Sequence, residues 1–245
     1  MFNDSTNHSP FANTRWSVVV AAGDRAHPDA ERALEELCNC YWSPLYSYAR
    51  RSGHDSESAR DAVQGFFANL IEKRSIGGAD PKRGRFRSYL LGAFQHYLSD
   101  ERDRGNAQKR GGGRKLLSLN FTFDGAEERY QKEPAGGATP GEAFEREWAL
   151  LLVNQVFTTI RGEYEQSGKL KLFEELKNHL TGDPASRPFA EIAAKLAATE
   201  GAVKVAAHRL RERFRERLRN EVAQTVKDHN EIDDEIRSLM NALAR

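Results

Sequence analysis

Apolar residues recur at every third or fourth position along most of this chain, the spacing that gathers them on one stripe of a helix with 3.6 residues per turn. From Ser56 onward, Ala59, Ala62, Val63, Phe66, Phe67, Leu70 and Ile71 keep that register, with Asp55 or Ser56 placed to cap the helix. Phe86, Tyr89, Leu90, Ala93, Phe94, Tyr97 and Leu98 repeat it, so two amphipathic helices can pack through aromatic-rich stripes. Ahead of them, Ala30, Ala33, Leu34 and Leu37 predict a short helix, and Pro44 opens another through Leu45, Tyr48 and Ala49. These four helices make a small bundle. Between Gly105 and Gly141 the period fails amid glycines and prolines, which reads as a linker. Beyond it, helices are expected from about Glu142 to Tyr164, Lys169 to Leu180, Phe189 to Leu196 and Ala202 to about Val226. A tail carrying Ile232, Ile236, Leu239, Met240 and Leu243 forms the last one. No alternating strand pattern competes, so the fold class is all-α. The expected division is an N-terminal helical bundle over 1–104, a flexible linker over 105–140, a second helical domain over 141–228 and a C-terminal helical extension over 229–245.

Composition agrees with small, surface-rich units: 39% of the 245 residues are hydrophobic and 30% are charged. Apolar runs such as Val18 to Ala22 fall far short of the roughly 20 residues that cross a bilayer. The N-terminus lacks a basic segment followed by a hydrophobic stretch, so neither export nor a membrane role is expected. With only Cys38 and Cys40, too close in sequence to bridge easily within a helix, a reducing cytoplasm is the expected setting.

Charge changes the picture more. The chain totals +1, yet residues 82–115 carry +7 and residues 202–219 carry +5, against −3 over 1–81, −5 over 116–201 and −3 over 220–245. Two compact basic blocks in an otherwise acidic chain suit a protein that touches nucleic acid at two places; the plainer alternative is two solvated helix faces.

The second block lies in a helix-turn-helix pattern. Phe189, Ile192, Ala193 and Leu196 form one face of a short helix, Ala198-Thr199-Glu200-Gly201 follows, and then comes a long basic helix. Ala193 is small enough for a close crossing, and Gly201 permits a tight turn or the approach of a phosphate. Val203, Ala206, Ala207, Leu210 and Phe214 face inward, leaving Lys204, Val205, His208, Arg209, Arg211 and Arg213 toward solvent or a major groove. An ordinary helical hairpin with a charged face is the alternative.

The stretch Phe189-Ala190-Glu191-Ile192-Ala193-Ala194-Lys195-Leu196, with Glu200-Gly201-Ala202-Val203-Lys204 and His208-Arg209-Leu210-Arg211, resembles region 4 of bacterial sigma-70 family RNA polymerase sigma factors, extracytoplasmic-function (ECF) group. Ala59-Arg60-Asp61-Ala62-Val63-Gln64-Gly65-Phe66-Phe67 is similar to region 2.2 of that family. Phe86-Arg87-Ser88-Tyr89-Leu90-Leu91 through Asp100, Arg102 and Arg104 resembles regions 2.3 and 2.4. The three matches come in the family's order and cover roughly residues 30–104 and 142–220.

The resemblance implies that the chain is a sigma factor directing promoter-specific initiation, with core RNA polymerase and promoter DNA as partners and room for an anti-sigma factor or other regulator. It gives Asp61, Gln64 and Asn69 the docking contact with core polymerase. It gives Lys82, Arg83, Arg85, Arg87, Arg102, Arg104, Lys109 and Arg110 the minus-10 DNA, and Glu200, Gly201, Lys204, Val205, His208, Arg209, Arg211 and Arg213 the minus-35 element. The loop from Ser75 to Arg85 falls where related factors hold a flipped base, with Phe86 or Tyr89 either an aromatic surface for it or part of the core. The linker is implied to run toward the polymerase active-site cleft, or else to serve as a passive tether. Gly65 stands where the family commonly has an acidic residue and His96 where it often has Asn. The segment Gly162 to Arg187 is longer than the family pattern, and the extension past Val226 exceeds it.

The rival reading is a helix-turn-helix DNA-binding regulator that acts without core polymerase and uses its first bundle for sensing or dimerisation; a third is a helical scaffold. No enzyme is expected, since the chain has neither a phosphate-cradling glycine motif nor a nucleophile elbow. No cofactor or metal is expected either. Cys-x-Cys on a helix points its thiols apart, and no fourth ligand joins Cys38, Cys40 and His54 at metal-site spacing.

Overall fold

The computed structural model describes residues 16–24, 26–73, 75–107, 126–132, 137–180 and 186–244. Most of these residues are helical, with no strand among them. The helices are α1 (Trp16–Gly23), α2 (Ala30–Arg51), α3 (Ser56–Lys73), α4 (Phe86–Ala107), α5 (Ala126–Lys132), α6 (Pro140–Gln166), α7 (Leu170–Leu176), α8 (Phe189–Lys195), α9 (Glu200–Ala223) and α10 (Ile232–Ala244). None is long and apolar enough to cross a membrane among the described residues. The chain forms two compact units: residues 1–151 with 222–245, and residues 152–221.

The first unit is built around α2. The expected break at Pro44 is absent: α2 runs through it as one helix of 22 residues. Proline there removes one backbone donor, which ordinarily kinks or ends a helix. Here every residue from Tyr41 to Ser47 is buried, so the packing on all sides holds the helix across the missing bond. After Arg51 the chain reverses through Gly53, whose φ of +95° suits glycine. Asp55 then starts α3 by accepting a 2.7 Å bond from the Ser58 amide and a 3.1 Å bond from its hydroxyl. Those bonds hold the Asp55 carboxyl below its ordinary pKa.

The stripes of α3 and α4 meet as their spacing predicts. Phe66 packs edge-on to Phe94 at 5.1 Å and to Tyr97 at 5.7 Å between ring centres, and Tyr48 of α2 closes on Phe94 at 5.9 Å. A second cluster joins Phe86 to Tyr41 at 5.5 Å and to Trp16 of α1 at 6.1 Å. Each fully buried aromatic or leucine of this core contributes about 1.5 to 3 kcal/mol.

Part of the segment read as linker is folded. α5 docks on α2 through Glu127, which accepts from the Tyr46 hydroxyl and pairs with Arg50 at 2.9 Å. Arg129 donates 2.7 Å bonds to Glu147 of α6 and to the Ser43 hydroxyl. Burial works against the Glu127 anion, yet the bonds from Tyr46, Gln131 and Arg50 outweigh it and lower its pKa. Residues 108–125 and 133–136 lie outside the described residues. α6 opens on a capping box in which Thr139 Oγ1 accepts from the Glu142 amide at 3.2 Å and Glu142 accepts from the Thr139 amide at 2.9 Å, with Pro140 at the first helical position.

The second unit comprises the later part of α6, α7, α8 and most of α9. Phe173, Leu176, Ile192, Val203, Ala207, Leu210 and Leu218 are buried in its core. Phe157 meets Phe214 at 5.1 Å and Tyr164 meets Phe173 at 5.6 Å. Glu163 ties α6 to α9 through Arg213 and Arg217.

Candidate nucleic-acid interfaces

In the second unit, α8 and α9 follow one another across four residues. The turn is not made where the sequence reading places it. Gly201 lies inside α9, whereas Ala197 takes the left-handed conformation, with φ of +50°. The Ala198 amide reaches back to the Ala193 carbonyl at 2.9 Å and the Ala197 amide to the Ala194 carbonyl at 3.4 Å. This is a Schellman stop with alanine in the position that glycine usually fills. Thr199 then caps α9, its hydroxyl accepting from the Ala202 amide at 3.2 Å, so the helix starts two residues earlier than its apolar pattern suggests.

Along α9, Val203, Ala207 and Leu210 are buried and Glu200, Gly201, Lys204, Val205, His208 and Arg209 are exposed. A side chain at Gly201 would meet nothing within 4 Å, so the start of the helix is open to its surroundings. Lys204 pairs along its own helix, with Glu200 at 2.7 Å. Among the described residues no carboxylate pairs with Arg209. Val205, 50% exposed, is an apolar side chain on this polar face. A groove of about 620 Å³ runs beside it, lined by Gly201, Ala202, Val205 and Arg209 of α9 with Tyr164 and Leu172 opposite. Arg211 and Arg213 turn back toward their own fold. Arg211 reaches the His179 carbonyl at 3.4 Å, and Arg213 binds Glu163 at 3.0 Å and Glu216 at 3.2 Å. The bond to Glu163 holds the Arg213 pKa above its ordinary value. Of the residues assigned to the minus-35 element, the structure thus brings six together on one open face and half-buries two.

The basic block of the first unit divides more sharply. Lys82 and Arg83 are exposed on a short 3-10 turn over Pro81–Arg83, capped by the Asp80 carboxylate accepting from the Lys82 amide at 2.8 Å. Gly84, with φ of +117°, leads the chain into α4. Arg85 is part-exposed and lies 2.6 Å from Glu235 of α10. Arg87 is only 2% exposed. Its guanidinium donates to Glu145 at 2.8 Å and to Glu235, and it lies over the Trp148 ring at 4.1 Å from the ring centre. Burial works against its charge, but the carboxylates of Glu145 and Glu235 outweigh it and raise its pKa. In this conformation Arg87 is a buried cation held by acids, not the open phosphate contact that the sequence suggests. Its place in the apolar stripe explains this, since Phe86, Leu90 and Phe94 on the same helix are buried around it. Arg102 is exposed and Arg104 lies in α4; Lys109 and Arg110 lie outside the described residues. Of the two rings, Phe86 belongs to the core and Tyr89 is half-buried.

On α3, Asp61 is exposed and Gln64 and Asn69 are half-buried. Gly65 has a local reason: a Cβ there would fall 2.3 Å from the Tyr97 hydroxyl of α4. An acidic side chain at this position would collide with Tyr97. Cys38 and Cys40 are both buried thiols, and burial, aided by Glu35, pushes the Cys38 thiol up to about 12.

Sequence reasoning missed Glu145, Glu235 and Trp148. One signal was present, because Glu235 occupies the apolar stripe of α10, three residues after Ile232 and four before Leu239. A carboxylate in such a place requires a buried cationic partner. No family model, curated protein or solved structure matches this chain.

Proposed function

We propose that this chain is a non-enzymatic cytoplasmic sigma factor that binds core RNA polymerase, opens the minus-10 element and reads the minus-35 element. The observation that carries the proposal is the open face of α9, where Gly201, Lys204, Val205, His208 and Arg209 gather at the start of a helix that follows α8 across a capped turn. Such a face offers phosphate and guanine partners together with an apolar contact suited to a thymine methyl group. The ordered resemblance of α3 and α4 to regions 2.2 to 2.4 supports a polymerase-bound role, with Asp61, Gln64 and Asn69 docking on the core enzyme. Lys82, Arg83 and Arg102 supply exposed cations for the minus-10 strand. A regulator without polymerase is favoured by one observation: Arg85 and Arg87 are engaged inside their own unit.

Transcription in vitro decides between them. Purified chain added to core polymerase on a fragmented genomic library yields discrete transcripts if it is a sigma factor. An Asp61→Ala/Gln64→Ala variant loses core binding on a sizing column while its duplex binding is kept. Duplex binding without co-migration or initiation would establish the regulator.

A further inference from the structure

The geometry points to α10 as a built-in competitor: its Glu235 carboxylate fills an anion site on the first unit whose other ligand is the phosphate backbone of single-stranded DNA. The inference rests on the functional reading above and adds a control to it.

The site is specific. Arg85 and Arg87 present two guanidinium groups to one carboxylate that is itself fully buried, and Trp148 floors the site beneath Arg87. Glu145 supplies the second carboxylate, so two cations face two anions. With α10 displaced, Arg85 and Arg87 would face Glu145 alone, leaving one net positive charge at a partly apolar opening. A phosphate offers the same fork of oxygens to an arginine pair as a carboxylate does. The segment is also suited to leaving. α10 is short, and only Ile232, Glu235 and Leu239 among its residues are buried. It follows a stretch, Lys227 to Glu231, in which every residue is exposed. Asp233 and Asp234 precede Glu235, so the first turn of α10 places a run of negative charge next to the basic block, as a nucleic-acid backbone would. Because α10 is tethered, it competes at high effective concentration until an opposing strand is held in place.

The test compares full-length wild type, Glu235→Gln and Asp234→Asn for binding to a fluorescein-labelled single-stranded DNA of about 20 nucleotides. Asp234→Asn makes the same change in net charge on an exposed neighbour that touches neither Arg85 nor Arg87. The expected result is binding about tenfold tighter for Glu235→Gln, the gain when an open state present at about one part in ten becomes dominant. Its salt dependence should steepen by about 0.7, one more phosphate neutralised by the one net positive charge. Asp234→Asn should match wild type. Equal affinities for the two variants, both folded by circular dichroism, overturn the competitor. Should Glu235→Gln fail to fold, hydrogen exchange in wild type decides: added strand deprotects amides 232–244 if α10 is displaced, and unchanged protection in DNA-bound chain overturns it. If duplex promoter DNA binds through α9 while these results are negative, only the competitor falls. If no DNA binds even with core polymerase present, the functional reading falls and the competitor with it.

Discussion

Arg87 and Arg209 lie in the two basic blocks and are indistinguishable by residue type, yet their surroundings are opposite. Arg87 is 2% exposed, stacked on Trp148 and held by Glu145 and Glu235; Arg209 is exposed on α9 without a carboxylate partner among the described residues. The difference comes from register. Arg87 stands one position from Phe86 and three from Leu90, on the side of α4 that faces the core, so it can be buried only with anions beside it. Arg209 lies two residues from Ala207 and one from Leu210, turned outward by the helix. A basic block in sequence is therefore two kinds of charge, one that completes a core and one that stays at the surface.

Truncating both arginines breaks the comparison most directly. Arg87→Ala leaves the buried Glu235 carboxylate with Arg85 as its one remaining cation among the described residues, and should cost about 3 to 5 kcal/mol in urea unfolding. Arg209→Ala removes an exposed side chain and should change stability by less than about 0.5 kcal/mol while weakening duplex promoter binding by about 1 to 3 kcal/mol. Equal stability losses would show that exposure is a poor guide to which arginine the fold needs. A stable Arg87→Ala chain would mean that Glu235 and Glu145 are readily hydrated once α10 shifts.

What the sequence disclosed follows the same division between local and distant causes. The stripes of α3, α4, α6 and α9 were legible because helical period decides which face is buried, and that period is local. The continuity of α2 was not, since Pro44 signals a break locally and only packing on both sides overrules it. The start of α6 was written in Thr139-Pro140-Gly141-Glu142, a capping box outside the apolar pattern. α5 lies in a polar, glycine-flanked stretch and is fixed by Glu127 and Arg129 reaching residues about eighty positions earlier. Arg87 and Glu235 are separated by 148 positions. In the candidate site, the open face of α9 could be listed from its register, but the withdrawal of Arg85, Arg87 and Arg213 required knowing which acids stand opposite them.

A smaller effect tests the packing of α3 on α4, the pair that positions the first basic block. Gly65→Ala sets a methyl group against the Tyr97 hydroxyl, and the ring is braced by Phe66, so it should destabilise by about 1 to 3 kcal/mol in thermal or urea melts. Tyr97→Phe in the same chain removes the obstructing oxygen and should recover most of that loss. If the double variant is no more stable than Gly65→Ala alone, the Tyr97 hydroxyl is not what requires glycine at this position.

The smallest effect sharpens the comparison from the side of the second unit, at the turn that presents Arg209. Ala197 is the only non-glycine residue with positive φ among the described residues. An L-side chain in that left-handed region costs roughly 1 to 2 kcal/mol, because its Cβ crowds the following carbonyl. Glycine removes that cost and returns about 0.4 to 1 kcal/mol through the greater freedom of the unfolded chain. Ala197→Gly should therefore stabilise the second unit by about 0.5 to 1 kcal/mol, read as a raised urea midpoint at unchanged slope. Duplex affinity should stay within about twofold, because the two bonds to Ala193 and Ala194 that define the turn involve only backbone. Arg87 and its acids lie in the other unit, so the cost of Arg87→Ala should be the same with either residue at position 197. A gain in stability with a loss in affinity would show that the strained alanine is kept for the way it aims α9, which would place the turn itself among the functional parts of the second unit.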